Sequence, residues 1–216
     1  MSRRRTGDFS RVYVLSGVGI EQVQVSRTAH ERNRGTIAAD DGATRASTRR
    51  SRAGSIDAQS VRKSAEGVVP IATSGYDCHK RVSGRKRHIA VDTLGLLCTV
   101  IATPADLHDA YATPALLYAA AEHGIRHVWA DQAYHVHRTI TAAKHLLDIT
   151  LDIVFRPETG PGFHVLPRRW VVERTFAWIS RRRRCARDYE RRLDHHEAMV
   201  YWAAILQMTR HRARLS

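Results

Sequence analysis

Apolar positions in the middle of the chain follow a period of two. From Arg87 to Thr93 the alternation sets Ile89 and Val91 on one side, Leu94 and Gly95 supply turn residues, and Leu96 to Thr103 returns with Leu97, Val100 and Ile101. Alternation on both sides of a glycine turn predicts a β-hairpin, which Pro104 ends. Beyond it the period changes. Pro114 opens an Ala- and Leu-rich helix, Ala115 to Glu122, and Gly124 stands where a helix is closed. Ile125 to Asp131 reads as a strand ending on an acid, Val136 to Leu147 as a helix, Ile149 to Phe155 as a strand, and Pro157 to Pro167 as a loop. Around Trp170 to Ile179 the residues Val172, Phe176 and Ile179 share one helical face, while Arg174, Arg181 and Arg182 look elsewhere. A last helix starts at Asp194, where Asp194 and Glu197 have capping-box spacing, with Met199, Trp202, Ala203 and Leu206 as its buried stripe.

Upstream the pattern weakens. Ser55 to Val61 holds a strand-like run with Ile56 and Val61, although Ala58, Gln59 and Ser60 are poor strand formers, and Lys63 to Ser83 reads as a loop. Met1 to Gly54 contains a little apolar material between Val12 and Val25, and Ala29 to Arg52 has no period, so residues 1–54 are expected to be a basic, largely disordered arm and residues 55–216 the folded domain. The order strand, hairpin, helix, strand, helix, strand, helix, helix predicts an α/β mixed sheet flanked by helices. It is also the order of the ribonuclease-H-like fold.

Charge narrows the partner. Lys and Arg number 35 against 21 Asp and Glu, a formal charge of +14 with a pI near 10.6, which points to a polyanion such as nucleic acid. The chain has 43% hydrophobic residues, enough for a core. It has neither an apolar run of membrane-spanning length nor a secretory signal pattern, so an intracellular protein is expected. Cys78, Cys98 and Cys185 are odd in number and lack paired spacing, which speaks against a disulfide framework or a zinc knuckle.

Glu173 lies beside the apolar seam of its helix, one turn after Arg169, with the small Ala177 and Ser180 on its own side. Either it only pairs with Arg169 at i, i+4 spacing, or it holds a metal ion and still admits a phosphate backbone. Two upstream acids favour the second reading. In a ribonuclease-H-like order, a carboxylate on the first strand, one ending the fourth and one on a later helix converge, and Asp57, Asp131 and Glu173 stand at those places. Three such acids can bind two divalent ions that activate an attacking oxygen and stabilise the leaving one at a phosphodiester. Mg²⁺ suits oxygen ligands and leaves room for water and phosphate, with Mn²⁺ a substitute. Other residues carry two readings each. Asp92 is a turn cap before it is a ligand, and Asp106, His108 and Asp109 are helix caps before they are a metal cluster. Tyr134 and Trp178 are core before they are base-stacking residues. Arg85, Lys86 and Arg87 are expected on DNA phosphates, as are Arg169, Arg174, Arg181, Arg182 and Arg184.

From about Ser55 to Arg212 the sequence resembles the DDE transposases of bacterial insertion sequences, specifically the IS-five-like group. The matching stretches are Asp57 to Arg62, Gly84 to Leu96, Ala130 to Tyr134 and Trp170 to Trp178, continued by Arg187 to Arg191. The resemblance implies that Asp57, Asp131 and Glu173 are the metal-binding triad. It also implies Mg²⁺-dependent cutting at element ends, transfer of the 3′-hydroxyl into double-stranded target DNA, and action as a homo-oligomer. Such transposases carry a helical DNA-binding domain ahead of the first aspartate, and Met1 to Gly54 lacks its pattern; Ala58 stands where Ser is common. An N-terminally truncated copy is therefore expected. The alternatives are a DNA-binding remnant that does not join strands and a nuclease of the same fold that hydrolyses without strand transfer.

Overall fold

The protein is described by a computed structural model covering residues 9–16, 19–26, 51–65, 67–155 and 168–213. It divides into two compact units, Met1–Arg49 and Arg50–Ser216. In the first, β1 (Phe9–Ser16) and β2 (Gly19–Ser26) pair antiparallel from Phe9↔Ser26 to Ser16↔Gly19. A hairpin therefore occupies part of the stretch expected to be a disordered arm. The apolar positions Val12, Val14, Val23 and Val25 supply its β-branched residues. Residues 27–50 of that arm and the loop Pro157 to Pro167 lie outside the described residues.

The second unit begins a few residues before the expected boundary, because Arg52 O already accepts the N–H groups of Arg126 and His127. Its strands are β3 (Ala53–Arg62), β4 (Gly75–Asp77), β5 (Val82–Asp92), β6 (Leu97–Pro104), β7 (His127–Asp131) and β8 (Thr150–Val154). The helices are α1 (Thr113–Glu122), α2 (His137–Leu147), α3 (Trp170–Ser180), the single turn α4 (Arg183–Ala186) and α5 (Leu193–Arg212). Across the sheet the order is β6-β5-β3-β7-β8, with β4 added at the near end of β5. The pairs around β5 are antiparallel, and β3, β7 and β8 run parallel. This mixed sheet flanked by helices is the ribonuclease-H-like arrangement expected from the element order.

β3 is longer than its composition suggests. It pairs with β5 from Gly54↔Asp92 to Arg62↔Gly84 and with β7 from Ala53↔His127 to Ser55↔Trp129. The unbroken pairing with β5, which takes Ala58, Gln59 and Ser60 opposite His88, Arg87 and Lys86, outweighs their weak propensity. Successive residues of β3 face opposite layers. Ile56 packs with Ala90, Leu116, Leu117, Val128 and Ile149 in one core, on the side of α1 and α2. Ile89 and Val91 pack with Val172, Phe176, Ile179 and Val200 in the other, beneath α3 and α5. Asp57 pairs with Ile89 and so opens on the α3 side. At the β5–β6 turn, Gly95 takes a φ of 85°, which a side chain resists, and its carbonyl accepts Thr175 Oγ1 at 2.9 Å, fastening the hairpin to α3.

α5 differs from its expected face. Val200, Ala203 and Ala204 are buried, while Trp202 (61% exposed) and Leu206 (46%) point outward. Polar anchors set the phase: Glu197 Oε1 accepts Ala102 N–H at 2.9 Å, and Tyr201 Oη reaches Val100 N at 3.4 Å. Glu197 therefore serves the edge of β6 and no capping box forms; Asp194 binds Arg192 instead. Burial pushes the Glu197 carboxyl up to about 7, against the opposing Ala102 N–H. A carboxyl raised on folding favours the protonated form, so its stabilisation is present at acid pH and is lost as pH rises through about 7. Gln retains the acceptor without the charge. Glu197→Gln is expected to melt higher than wild type near pH ~8 and equally near pH ~4 in parallel thermal denaturation curves.

Candidate active site

β3 and β7 run side by side in parallel, and the pair Ser55↔Trp129 fixes their register. Two residues further along each strand stand Asp57 and Asp131, on the same face of the sheet. Asp131 ends β7 and turns the chain, its Oδ1 accepting Ala133 N–H at 3.4 Å at the head of a short 3₁₀ turn. Asp57 Oδ1 accepts the N–H of Ala58 at 2.8 Å. Their second oxygens meet one cation: Arg169 Nη2 lies 3.3 Å from Asp57 Oδ2 and 3.2 Å from Asp131 Oδ2. Burial raises the Asp57 carboxyl to about 6, with Arg169 opposing the rise and the charge of Asp131 adding to it. Tyr134 lies buried close by, and burial together with the charges of Asp57, Asp109 and Asp131 pushes its phenol well above the usual range. Its hydroxyl has no hydrogen-bond partner among the described residues.

Arg169 caps the N-terminus of α3, and Ser55 Oγ, from β3, donates to Arg168 O at 3.0 Å, tying the strand to the segment entering the helix. Glu173 follows one turn later and is exposed. The alternative reading, a pairing with Arg169, is not met, because the guanidinium turns to the two aspartates. Nor does its carboxylate join them. Among the described residues no three His, Cys, Asp or Glu side chains stand together closely enough to hold a metal ion. The structure thus unites two of the three expected acids and leaves Glu173 on the neighbouring helix turn. Asp57 and Asp131 suit a divalent ion in donor chemistry, since their oxygens already converge on a positive charge.

Several arginines expected on DNA lie inside the protein. Arg85 is fully buried, giving its donors to Thr73 O, Thr73 Oγ1, Asp188 Oδ2, Glu190 O and Arg191 O. Arg87 is buried against Gln59, Ser180 and Cys185 O. On the opposite face, Lys86 pairs with Asp109 at 2.9 Å and donates to Leu107 O. These three hold the fold together and offer phosphate no charge. Buried Arg169 is likewise committed to the acid pair. Arg174 is half-buried between the rings of Trp170 and Trp178, 4.3 and 4.6 Å from their centroids, and donates to Leu94 O. Trp178 thus flanks a cation. Arg181 is exposed and Arg182 half-buried, and exposed Arg183 adjoins them. Exposed Arg184 pairs with Glu190 and lies over Tyr189.

The other two-sided readings resolve toward structure. Asp92 Oδ1 accepts the N–H groups of Leu94 and Leu96 at 2.9 Å, capping the turn. His108 Nδ1 caps Ala110 N–H, and Tyr134 is core. Cys78, Cys98 and Cys185 are free thiols. What the sequence reading missed is the clamp itself. Its one available signal is the spacing of Arg169 one helical turn before Glu173, at the end of the helix nearest the strands.

Known proteins of similar sequence place the chain in a family. The family described as "Transposase DDE domain" matches residues 48–208. A Burkholderia cepacia protein named as a transposase for insertion sequence element IS402 is 32% identical over 127 residues, 54% of this chain and 59% of that protein, so the chain spans about three fifths of that relative's length. Among solved structures, the catalytic core domain of BIV integrase aligns with a TM-score of 0.43 and 16% identity over 72% of this chain and 82% of that one. A chain of a simian T-cell lymphotropic virus intasome in complex with PP2A regulatory subunit B56 gamma also gives 0.43, with 19% identity over 69% and 46%. By the extent of the family match, the chain belongs to the family of transposase DDE domains.

Proposed function

We propose that this protein is a transposase that cuts DNA at the ends of an insertion element and joins the freed 3′-hydroxyl to target DNA. The observation that carries the reading is the convergence of Asp57 and Asp131, from adjacent parallel strands, on one cation. We read these two together with Glu173 as the acid set, a reading the membership in the transposase DDE family supports. Asp57 and Asp131 are the residues to hold a divalent ion, magnesium or manganese, with Glu173 the third donor. Such an ion supplies Lewis-acid activation of the attacking oxygen and charge stabilisation of the leaving one. The chain's own part is positional. β3 and β7 set the two aspartates on neighbouring strands, and the turn after β7 holds Asp131 Oδ1 on Ala133 N–H while its Oδ2 faces Arg169 with that of Asp57. α3 carries Glu173 past them.

Arg181, Arg182 and Arg183 lie beyond the end of α3 and are the side chains placed to meet phosphates. No helix among the described residues is long and apolar enough to cross a membrane. A cytoplasmic protein acting as a homo-oligomer on double-stranded DNA fits this reading. Replacing Arg181, Arg182 and Arg183 together by Ala is expected to weaken duplex binding uniformly across sequences. The logarithmic salt dependence should flatten by roughly 0.9 for each phosphate that is no longer neutralised. Arg184→Ala, already engaged by Glu190, should change that slope less.

The direct test is incubation with linear DNA carrying the repeats that flank the coding sequence, with and without Mg²⁺. Products ending in 3′-hydroxyls, and then joined molecules, are expected only with the ion. One observation favours a second reading, a DNA-binding remnant: Glu173 stands outside the acid pair. Salt-sensitive binding without any cutting would select it.

A further inference from the structure

The positive charge between Asp57 and Asp131 belongs to the protein itself. Arg169 Nη2 is within 3.3 Å of an oxygen of each, and the side chain is only 4% exposed. A divalent ion held by those same carboxylates would compete with the guanidinium for their negative charge.

The way Arg169 is held differs from the way structural arginines of this chain are held. Arg85 Nε donates to Thr73 O at 2.9 Å, and Arg87 Nε donates to Gln59 Oε1 at 2.9 Å. Arg169 Nε is buried with no hydrogen-bond partner among the described residues. A buried guanidinium with an idle donor is under-satisfied. The backbone leading to it is strained as well, since Arg168 holds a φ of 73°, in the left-handed region that a side chain resists. The clamp is therefore strong in charge and weak in its remaining anchorage.

We propose that Arg169 is the resident counter-ion of the acid pair and exchanges with the divalent ion, holding Asp57 and Asp131 together while no ion is bound and withdrawing when one binds. The inference rests on the reading of these aspartates as metal-holding residues, and it makes Arg169 a positioning residue whose release accompanies loading of the site. Wild-type affinity for the ion is then lowered by competition with an internal cation.

Two readouts test this on the full chain without DNA. In calorimetric titration with Mn²⁺, Arg169→Met, which keeps an apolar stem and removes the charge, is expected to bind at least about tenfold more tightly than wild type, because no charge pair must be broken first. Asp131→Asn is expected to lose Mn²⁺ binding. In wild type, labelling by phenylglyoxal mapped by mass spectrometry should find Arg169 protected without Mn²⁺ and modified several times faster with it. Arg85, buried elsewhere, should stay protected in both conditions. If Arg169→Met fails to fold, the wild-type labelling decides alone. Equal or weaker Mn²⁺ binding by Arg169→Met, or labelling of Arg169 that saturating Mn²⁺ leaves unchanged or slows, overturns the exchange and leaves the metal reading standing. No Mn²⁺ binding by either protein overturns both.

Discussion

Asp131→Asn is expected to reduce DNA strand cutting by a factor on the order of a thousand or more while leaving the fold intact. The substitution removes one negative charge and very little else. Asn keeps the Oδ1 acceptor that receives Ala133 N–H, so the turn after β7 retains its cap. Ala130, fully buried just before it, stays in the core, and Arg169 keeps Asp57 as a partner. What disappears is half of the convergent pair of oxygens on which ion binding depends. Melting temperature and salt-dependent DNA affinity should stay near wild type, so an assay that follows cutting, binding and unfolding together separates chemistry from stability. A variant that cuts at the wild-type rate removes Asp131 from the site.

The second large effect is on stability. Arg85→Leu is expected to cost about 3–5 kcal/mol in urea denaturation, the penalty for removing one partner of a buried ion pair. Arg85 and Asp188 have fully buried side chains 3.0 Å apart, and the guanidinium also gathers the carbonyls of Thr73, Glu190 and Arg191, joining β5 to the stretch between α4 and α5. Changing Asp188 to Leu as well should recover part of the loss, because the buried charge that Arg85 offset goes with it. Burial alone raises the Asp188 carboxyl; the hydrogen bond and charge of His196, the Glu190 N–H and the charge of Arg85 together outweigh it and hold the carboxyl below its usual value. A depressed carboxyl contributes its stability above the unfolded value of about 3.9 and loses it as pH falls through the folded one. The gap between wild type and Arg85→Leu should therefore narrow in strongly acidic buffer.

Much of this architecture was legible because periodicity and burial coincide. The β5–β6 hairpin, α1, β7 and β8 lie close to where alternation, Pro114 and Gly124 place them. β3 was harder, since its length comes from the long pairing with β5 and its own composition argues against a strand. The run Arg85, Lys86 and Arg87 looks like a basic loop, yet a period of two puts Arg85 and Arg87 on the face of Ile89 and Val91. Once those two are core, the arginines must go inward and find internal acceptors. The phase of α5 was illegible for another reason: Glu197 and Tyr201 dock on β6, and a hydrophobic stripe carries no information about polar anchors. In the site, the order of elements located Asp57 and Asp131. It also suggested a third acid meeting them, whereas Glu173 stays exposed on α3 and an arginine takes the place between the pair.

Single-turnover cutting of labelled element-end DNA in Mg²⁺ tests most directly whether the three acids act as one unit, with wild type beside Asp57→Asn, Asp131→Asn, Glu173→Gln and the triple variant. Groups that work together are strongly non-additive, so each single substitution should fall to the floor set by the triple. Glu173→Gln cutting at the wild-type rate, while either aspartate variant is dead, would contradict the three-acid site.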